Sequence, residues 1–470
     1  MLIGRNNEQK QLLKALNTKE PEFIAITGRR RVGKTFLIRQ TYKDYITFEI
    51  IGIQDASSKE QLANFYFALR QYFDETLYQI KKPKTWQEAF ETLISLLEKN
   101  NTKKQVVFFD EMPWLASSNS SFLRGLSFFW NSWASKNNIV LVACGSATSW
   151  IVKKLILNKG GLHNRVTKQI ILHPFTLSET KLYLQTEAIK LNNYQIIQLY
   201  LIIGGIPYYL KLISKGKSVA QIINILFFEK NALLKNEFEN LYAALFLNSD
   251  NYIKIITACY QKWQGINHTE LTEFTGFSSG GTLSKMIKDL EMSSFIQITY
   301  PINKKTKDTI FRLIDEFSIF YLKFIKSSAQ TDWQTLSKTP SITIWQGFAF
   351  ENLCFKHIES IKKKLGISGV NSRIYSFREN GKDGKKGTQI DLIIDRDDAI
   401  VNLCEIKFYN KEFIINKSYN EELEHKIFSL QQVLPKNKTI HLTMITTFGV
   451  KENKYSNMVQ SEIIIDDLFN

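Results

Sequence analysis

Residues 28–35 read GRRRVGKT. An apolar run, Phe23-Ile24-Ala25-Ile26-Thr27, precedes them, and an amphipathic stretch, Phe36-Leu37-Ile38-Arg39-Gln40, follows. Strand, glycine loop and helix in that order satisfy G-x-x-x-x-G-K-[ST] at every fixed position. The glycines let the backbone curl so that its N–H groups point at phosphate, at the positive end of the new helix. The loop Gly28, Arg29, Arg30, Arg31, Val32, Gly33, Lys34 and Thr35 is therefore the expected binding segment for ATP. Lys34 can reach the β- and γ-phosphates, and the Thr35 hydroxyl can ligate Mg²⁺.

About 75 residues on, Gln105-Val106-Val107-Phe108-Phe109 runs into Asp110-Glu111. A continuous apolar run ending in acid is what a buried parallel strand with an acidic tip looks like. Asp110 can hold the magnesium beside Thr35, and Glu111 can orient and deprotonate the attacking water. A third buried strand, IVLVAC at 139–144, ends at Gly145-Ser146-Ala147-Thr148. Ser146 is the candidate for sensing the γ-phosphate, with Thr148 equally readable as a strand-end cap. Arg165, in Leu162-His163-Asn164-Arg165, is either the arginine that stabilises the transferred phosphate, in cis or from a neighbouring subunit, or an ordinary surface arginine.

LIGRNNE, GRRRVGKT, VVFFDE, ACGSATSW and GLHNR, followed by HPFTLSE and GGIPYYL, resemble the archaeal-type ATPase family, a branch of the AAA+ superfamily. The resemblance covers about residues 1–230. It implies a five-stranded parallel sheet with a helical lid at roughly 177–234. The lid carries no clean sensor-2 arginine.

Composition agrees with a globular chain. Of its 470 residues 44% are hydrophobic and 13% aromatic, more than a disordered chain carries. The net charge is +16. Residues 1–230 hold 31 basic against 17 acidic side chains, residues 231–340 hold 12 against 11, and residues 341–470 hold 18 against 17. The surplus sits on the phosphate-loop part, which fits a nucleic-acid partner or a solvated lysine-rich surface. Four scattered cysteines and six histidines without zinc spacing argue against disulfides and structural zinc, so a cytoplasmic location is expected. The N-terminus, MLIGRNNEQK, lacks the apolar core of a signal peptide. The charge-free window 191–210 holds Asn192, Asn193, Gln195, Gln198, Gly204, Gly205 and Pro207, too polar for a membrane span.

Residues 251–316 change rhythm: helices at 251–263, 269–275 and 282–292, then an apolar hairpin, 295–300 and 309–313, around Asn303-Lys304-Lys305-Thr306-Lys307. That order is a winged helix-turn-helix pattern. Lys285, Lys288 and the loop lysines can meet DNA phosphates. Asp289 and Glu291 share the helix, and a packing or interaction module is the alternative.

The last segment carries a second constellation. A helix, WQGFAFENLCFKH at 345–357, contains Glu351, and a basic, glycine-rich loop at 378–386 leads into TQIDLIID. The turn 396–399 returns the chain as IVNLCEIK at 400–407. Glu405 and Lys407 are two apart on a strand and project from one face. If Asp395 pairs with Val401, Asp391 lies directly opposite Glu405, with Cβ atoms about 4.5–5.5 Å apart. Asp391 and Glu405 are then candidates to hold Mg²⁺ or Mn²⁺ for attack on a phosphodiester, with Lys407 and Glu351 completing the site. The apolar flanks predict central strands, where charges need a reason. An exposed hairpin with ordinary charges on its solvent face is the alternative.

This stretch resembles the PD-(D/E)XK nuclease superfamily, with Asp391, thirteen intervening residues, Glu405-Ile406-Lys407, and Glu351 upstream. It is also similar to the C-terminal domain, once of unknown function, that accompanies archaeal-type ATPases. The nominal proline beside Asp391 is missing. The expected fold is α/β: a P-loop AAA+ domain with helical lid over 1–235, a winged helix over 236–316, and a restriction-endonuclease-like domain over 317–470. Two functions follow. One is an ATP-regulated, metal-dependent DNA nuclease, able to act as a homo-oligomer. The other is an ATPase switch that binds DNA or a protein partner through its winged helix, with an inactive nuclease fold.

Overall fold

The computed structural model describes residues 2–73, 80–99, 103–116, 120–157, 159–246, 248–299, 309–326, 332–379 and 387–470. It divides into two compact units, Met1–Pro174 with Met292–Ser294, and Phe175–Glu291 with Phe295–Asn470.

The first unit is built on five parallel strands: β1 (Glu22–Thr27), β2 (Ile46–Ile51), β3 (Gln105–Asp110), β4 (Ile139–Cys144) and β5 (Lys168–Ile171). Their order is β2-β3-β4-β1-β5. Every residue of β1, β3 and β4 is buried, which is why these segments read as unbroken apolar runs rather than as alternation. Phe23, Phe48, Phe65, Phe90, Phe109, Phe122 and Phe129 are among the core residues on this sheet. Because β4 lies between β1 and β3, the C-terminal tips of all three open on one edge. In open parallel sheets that edge is where ligands bind.

The second unit holds two sheets. Helices Ser249–Gln261, His268–Thr275 and Gly281–Met292 accompany three short antiparallel strands, β6 (Ile266–Asn267), β7 (Ile296–Thr299) and β8 (Ile310–Leu313), in the order β6-β8-β7. The second helix is entered through a full capping box at Asn267 and Glu270, which fixes its start. The lysines at 304, 305 and 307 lie outside the described residues. The second sheet has the order β13-β12-β11-β10-β9, from β9 (Ser372–Glu379), β10 (Thr388–Arg396), β11 (Ile400–Lys407), β12 (Thr439–Thr446) and β13 (Ser461–Ile464). Helix Lys417–Val433 covers it through Leu423 and Leu430.

The helices expected to form a lid on the first sheet pack inside the second unit. Helix Leu177–Thr186 has its first N–H bonded to His357 Nε2 at 3.1 Å. Tyr194, on helix Asn193–Ile203, stacks on Phe408 with ring centroids 5.4 Å apart. The first compact unit ends at Pro174 apart from Met292–Ser294. His357 is completely buried and accepts that N–H, so burial pushes its pKa down to about 4, and it stays neutral as a structural acceptor. Among the described residues, no helix is long and apolar enough to cross a membrane.

Candidate functional site

The first centre lies at the edge where β1, β3 and β4 end. Gly28 has φ +147°, and a Cβ there would stand 2.3 Å from the Leu172 carbonyl oxygen. Gly33 has φ +93° and caps helix Lys34–Thr41. The two glycines are required for different reasons, contact at the first and backbone conformation at the second. Between them Arg31 adopts φ +72°. Arg5, nearly buried, donates from Nη2 to the Val32 carbonyl at 3.3 Å and braces the loop from outside the motif.

Lys34 is 5% exposed. Its ammonium donates to the carbonyls of Gly28 and Arg29, at 2.8 and 3.1 Å, and to Ser146 Oγ at 3.1 Å. Burial pushes its pKa down, opposed by Glu111, Cys144 and Asp110. Thr35 Oγ1 donates to Asp110 Oδ2 at 2.7 Å. The other oxygen, Asp110 Oδ1, accepts from the Glu111 N–H at 2.9 Å and from the Cys144 thiol at 2.8 Å. Burial raises the Asp110 pKa against these bonds. Glu111 sits at φ +43°, and its carboxylate accepts from the Ser146 N–H at 3.0 Å and the Ser146 hydroxyl at 2.7 Å.

The structure therefore assembles Gly28, Gly33, Lys34, Thr35, Asp110, Glu111 and Ser146. Ser146 joins Lys34 to Glu111, a tie that its expected role as a phosphate sensor did not include. Arg165 is not brought to this edge. It is exposed and lies before β5, where the Thr167 N–H bonds the Phe23 carbonyl near the start of β1, at the opposite end of the strands from the loop. Thr35 and Asp110 present hard oxygen donors within hydrogen-bond distance of each other, the donor type that Mg²⁺ takes, so the residues present fit that ion. Cys144 and Arg5 were missed: a thiol ending a strand and an arginine 23 residues before the loop carry no local signal.

The second centre forms on β10, β11 and two helices. β10 and β11 pair antiparallel from Asp395 opposite Val401 to Leu392 opposite Cys404, which brings Asp391 and Glu405 to the same end of the ladder, where β10 shifts register against β9 between Ile390 and Ile393. Both strands are interior in the sheet. Glu351, on helix Pro340–Lys356, feels Asp391, Arg312, Lys407 and Glu405. The four expected residues are thus neighbours. Burial and the nearby Asp391 hold the Glu351 carboxyl well above its ordinary pKa.

Glu405 shows what the sequence did not. It is 5% exposed, and both its oxygens are engaged. Oε1 accepts from the Tyr419 hydroxyl and pairs with Lys407 Nζ at 3.1 Å; Oε2 takes Lys426 Nζ at 2.8 Å. Burial alone would raise its pKa, but Lys407 and Lys426 outweigh it and hold the carboxyl below the usual range. Asp391 Oδ1 accepts from Gln389 Nε2 at 2.6 Å. Tyr419 and Lys426 are seven residues apart on helix Lys417–Val433, hence on one face. Only the packing of that helix on the sheet reveals their role.

The carboxylates expected to hold a divalent metal are thus engaged otherwise in this arrangement. Asp391 and Glu405 are oxygen donors of the right kind, but ammonium groups already neutralise Glu405. Among the described residues no three His, Cys, Asp or Glu side chains are placed to hold a metal ion. As arranged, the residues do not fit Mg²⁺ or Mn²⁺.

Residues 2–213 match the family described as an ATPase domain predominantly from Archaea. This stretch is similar to that ATPase domain, in keeping with the loop and strand order above. The chain is 23% identical over 438 residues to an uncharacterized protein of Methanocaldococcus jannaschii, covering 90% of this chain and 91% of that one. Among solved structures it is similar to the Walker-type ATPase PABY2304 of Pyrococcus abyssi, at 17% identity and TM-score 0.49, over 69% of this chain and 96% of that one. It is also similar to the ORC2 protein of Aeropyrum pernix, at 14% identity and TM-score 0.42, over 72% and 96%.

Proposed function

We propose that the protein binds and hydrolyses ATP at the first centre and engages DNA through a nuclease-like domain at the second. The observation that carries the first part is the joint placement of Lys34, Thr35, Asp110 and Glu111 at one sheet edge. Lys34 offsets charge on the terminal phosphates, and Thr35 and Asp110 hold Mg²⁺, which supplies further charge neutralisation when bound. Glu111 leaves Ser146 to orient the attacking water. Arg165 serves from a neighbouring copy in a homo-oligomer. We read 1–235 as the ATPase with its lid segment, 236–316 as a winged helix, and 317–470 as the nuclease-like domain, in a protein of the cytoplasm.

Two readings of the second centre each have their own observation. The convergence of Glu351, Asp391, Glu405 and Lys407 favours phosphodiester cleavage. The pairing of Glu405 with Lys407 and Lys426 favours recognition of the phosphodiester without cleavage, and it is the reading the geometry supports best. Cleavage needs Lys426 to leave Glu405 first.

One assay decides. Plasmid and linear DNA are incubated with the full chain, with and without ATP, in Mg²⁺ or Mn²⁺. Salt-sensitive binding without strand breaks is expected. Cleavage by wild type that disappears in Asp391→Ala restores the nuclease reading. Absence of both binding and cleavage sinks the DNA assignment.

A further inference from the structure

A cleft of about 440 Å³ opens between the end of helix Ser249–Gln261 and β9 of the last sheet. Lys262, Trp263, Glu270 and Ile310 line it from the middle segment, and Ser376 and Arg378 line it from β9. The Gly265 N–H bonds the Lys262 carbonyl at 2.7 Å and closes the turn that carries Trp263. Trp263 in turn stacks on Phe348 of helix Pro340–Lys356, with ring centroids 3.4 Å apart and planes inclined by 27°. The carboxylate in the cleft is already matched. Glu270 Oε1 takes Lys262 Nζ at 2.6 Å, and Oε2 accepts from the Asn267 N–H at 3.1 Å. Arg378 is exposed and forms no ion pair among the described residues, so it is the cation left over. Ser376 and Arg378 are two apart on β9 and share a face. Arg378 stands opposite Gln389 in the β9–β10 ladder, and Gln389 Nε2 donates to Asp391 Oδ1 at 2.6 Å. One cross-strand pair and one hydrogen bond therefore lead from the cleft to the second centre.

We propose that this cleft holds one nucleotide of a single DNA strand whose neighbouring phosphodiester is engaged at the second centre, with the base on Trp263 and the phosphate on Arg378. This rests on the reading of that centre as one that engages DNA. Ligand pockets run from roughly 300 to 1,000 Å³, and a volume near the lower end admits one nucleotide but not a base pair with both its backbones. An aromatic ring beside a cation is the arrangement that takes single strands, the base stacking on the ring and the backbone following the charge. A guanidinium grips two phosphate oxygens at once through its planar fork, and the Ser376 hydroxyl lies on the same face to donate beside it. The Lys262–Glu270 pair is neutral as a unit, so Arg378 sets the charge of the cleft. Phe348 and the closed turn hold Trp263 before any ligand arrives, and little conformational freedom is then lost on binding.

The test is fluorescence-anisotropy titration of the full chain with a labelled single strand and with the matching duplex, in EDTA and over a range of salt. Trp263→Ala, Trp263→Phe, Arg378→Gln, Arg378→Lys and Lys407→Ala are compared with wild type after thermal unfolding has verified their fold. Arg378→Gln is expected to lose about tenfold in single-strand affinity and about 0.7 of a unit of the logarithmic salt slope. Arg378→Lys restores the slope, because the charge survives. Trp263→Ala is expected to lose about tenfold at unchanged slope, and Trp263→Phe, which keeps a ring, loses far less. An unchanged slope in a folded Arg378→Gln protein overturns the proposal, and so does duplex binding without single-strand binding. A second readout needs no variant: wild type is irradiated with a strand carrying 5-iododeoxyuridine, and the crosslinked peptides are identified by mass spectrometry. A crosslink on the peptide that holds Trp263 is expected, and crosslinks confined to other peptides overturn the proposal. If Trp263→Ala does not fold, the crosslink decides. Weakening by Lys407→Ala while Trp263→Ala and Arg378→Gln bind like wild type removes the cleft but leaves the DNA reading standing. Failure of wild type to bind either DNA removes both.

Discussion

The two centres use the same side-chain types and treat their carboxylates in opposite ways. In the first, Asp110 and Glu111 are held by neutral donors: the Thr35 hydroxyl, the Cys144 thiol, a backbone N–H and Ser146. Lys34 is held away from them by two carbonyls and Ser146. In the second, Glu405 takes two ammonium groups directly. Neutral donors orient a carboxylate without cancelling its charge, so it can still receive a cation. Ammonium groups cancel it. A carboxylate in a motif is therefore not by itself a metal ligand; what its neighbours carry decides.

The largest expected break in this comparison is at the phosphate loop. Gly28→Ala places a methyl group against the Leu172 carbonyl and should abolish binding of a fluorescent ATP analogue, as should Lys34→Ala. Retained binding in Gly28→Ala would show that the loop tolerates displacement. Next, Glu111→Gln should keep nucleotide binding while lowering phosphate release by on the order of a hundredfold, the usual weight of a lost general base. Loss of binding together with rate would assign Glu111 a structural role.

The third prediction converts one centre toward the other. Lys426→Met leaves buried Glu405 with one ammonium instead of two. Stability should fall by about 3 kcal/mol, as when a buried pair is broken, and Mn²⁺ affinity, read by calorimetry, should rise above that of wild type. Unchanged Mn²⁺ affinity would mean that Lys426 is not what excludes the ion.

The smallest effect is a pH dependence of opposite sign at two neighbouring acids. Glu405 has a depressed folded pKa, so its contribution is present above the unfolded value near 4.5 and is lost as pH falls through the folded one. Glu351 has a raised folded pKa, so its contribution is full below 4.5 and is lost as pH climbs through the folded value. Thermal unfolding of Glu351→Gln should therefore gain on wild type as pH rises above 4.5. A constant difference across that range would contradict the assignment.

Much of both centres was legible in the sequence. The loop was readable because its chemistry is contiguous: backbone N–H groups, glycine dihedrals and Lys34 fall within eight residues. The nearness of Asp391 and Glu405 was readable because the pair Asp395 with Val401 sets the register as far as Leu392 with Cys404, while the register shift of β10 between Ile390 and Ile393 was not. Arg5, Cys144, Tyr419 and Lys426 were not readable, since each meets its partner on another element. The apolar faces of the helices after 174 likewise specify burial but not which sheet provides it.

The sequence by itself determined where the phosphate loop sits and which strands are buried, because each depends on local backbone geometry or on a short repeat. Tertiary structure alone decided the charge state of the buried acids. That state depends on which cations, thiols and hydroxyls arrive from other elements and on how much water is excluded, and neither quantity is written along the chain.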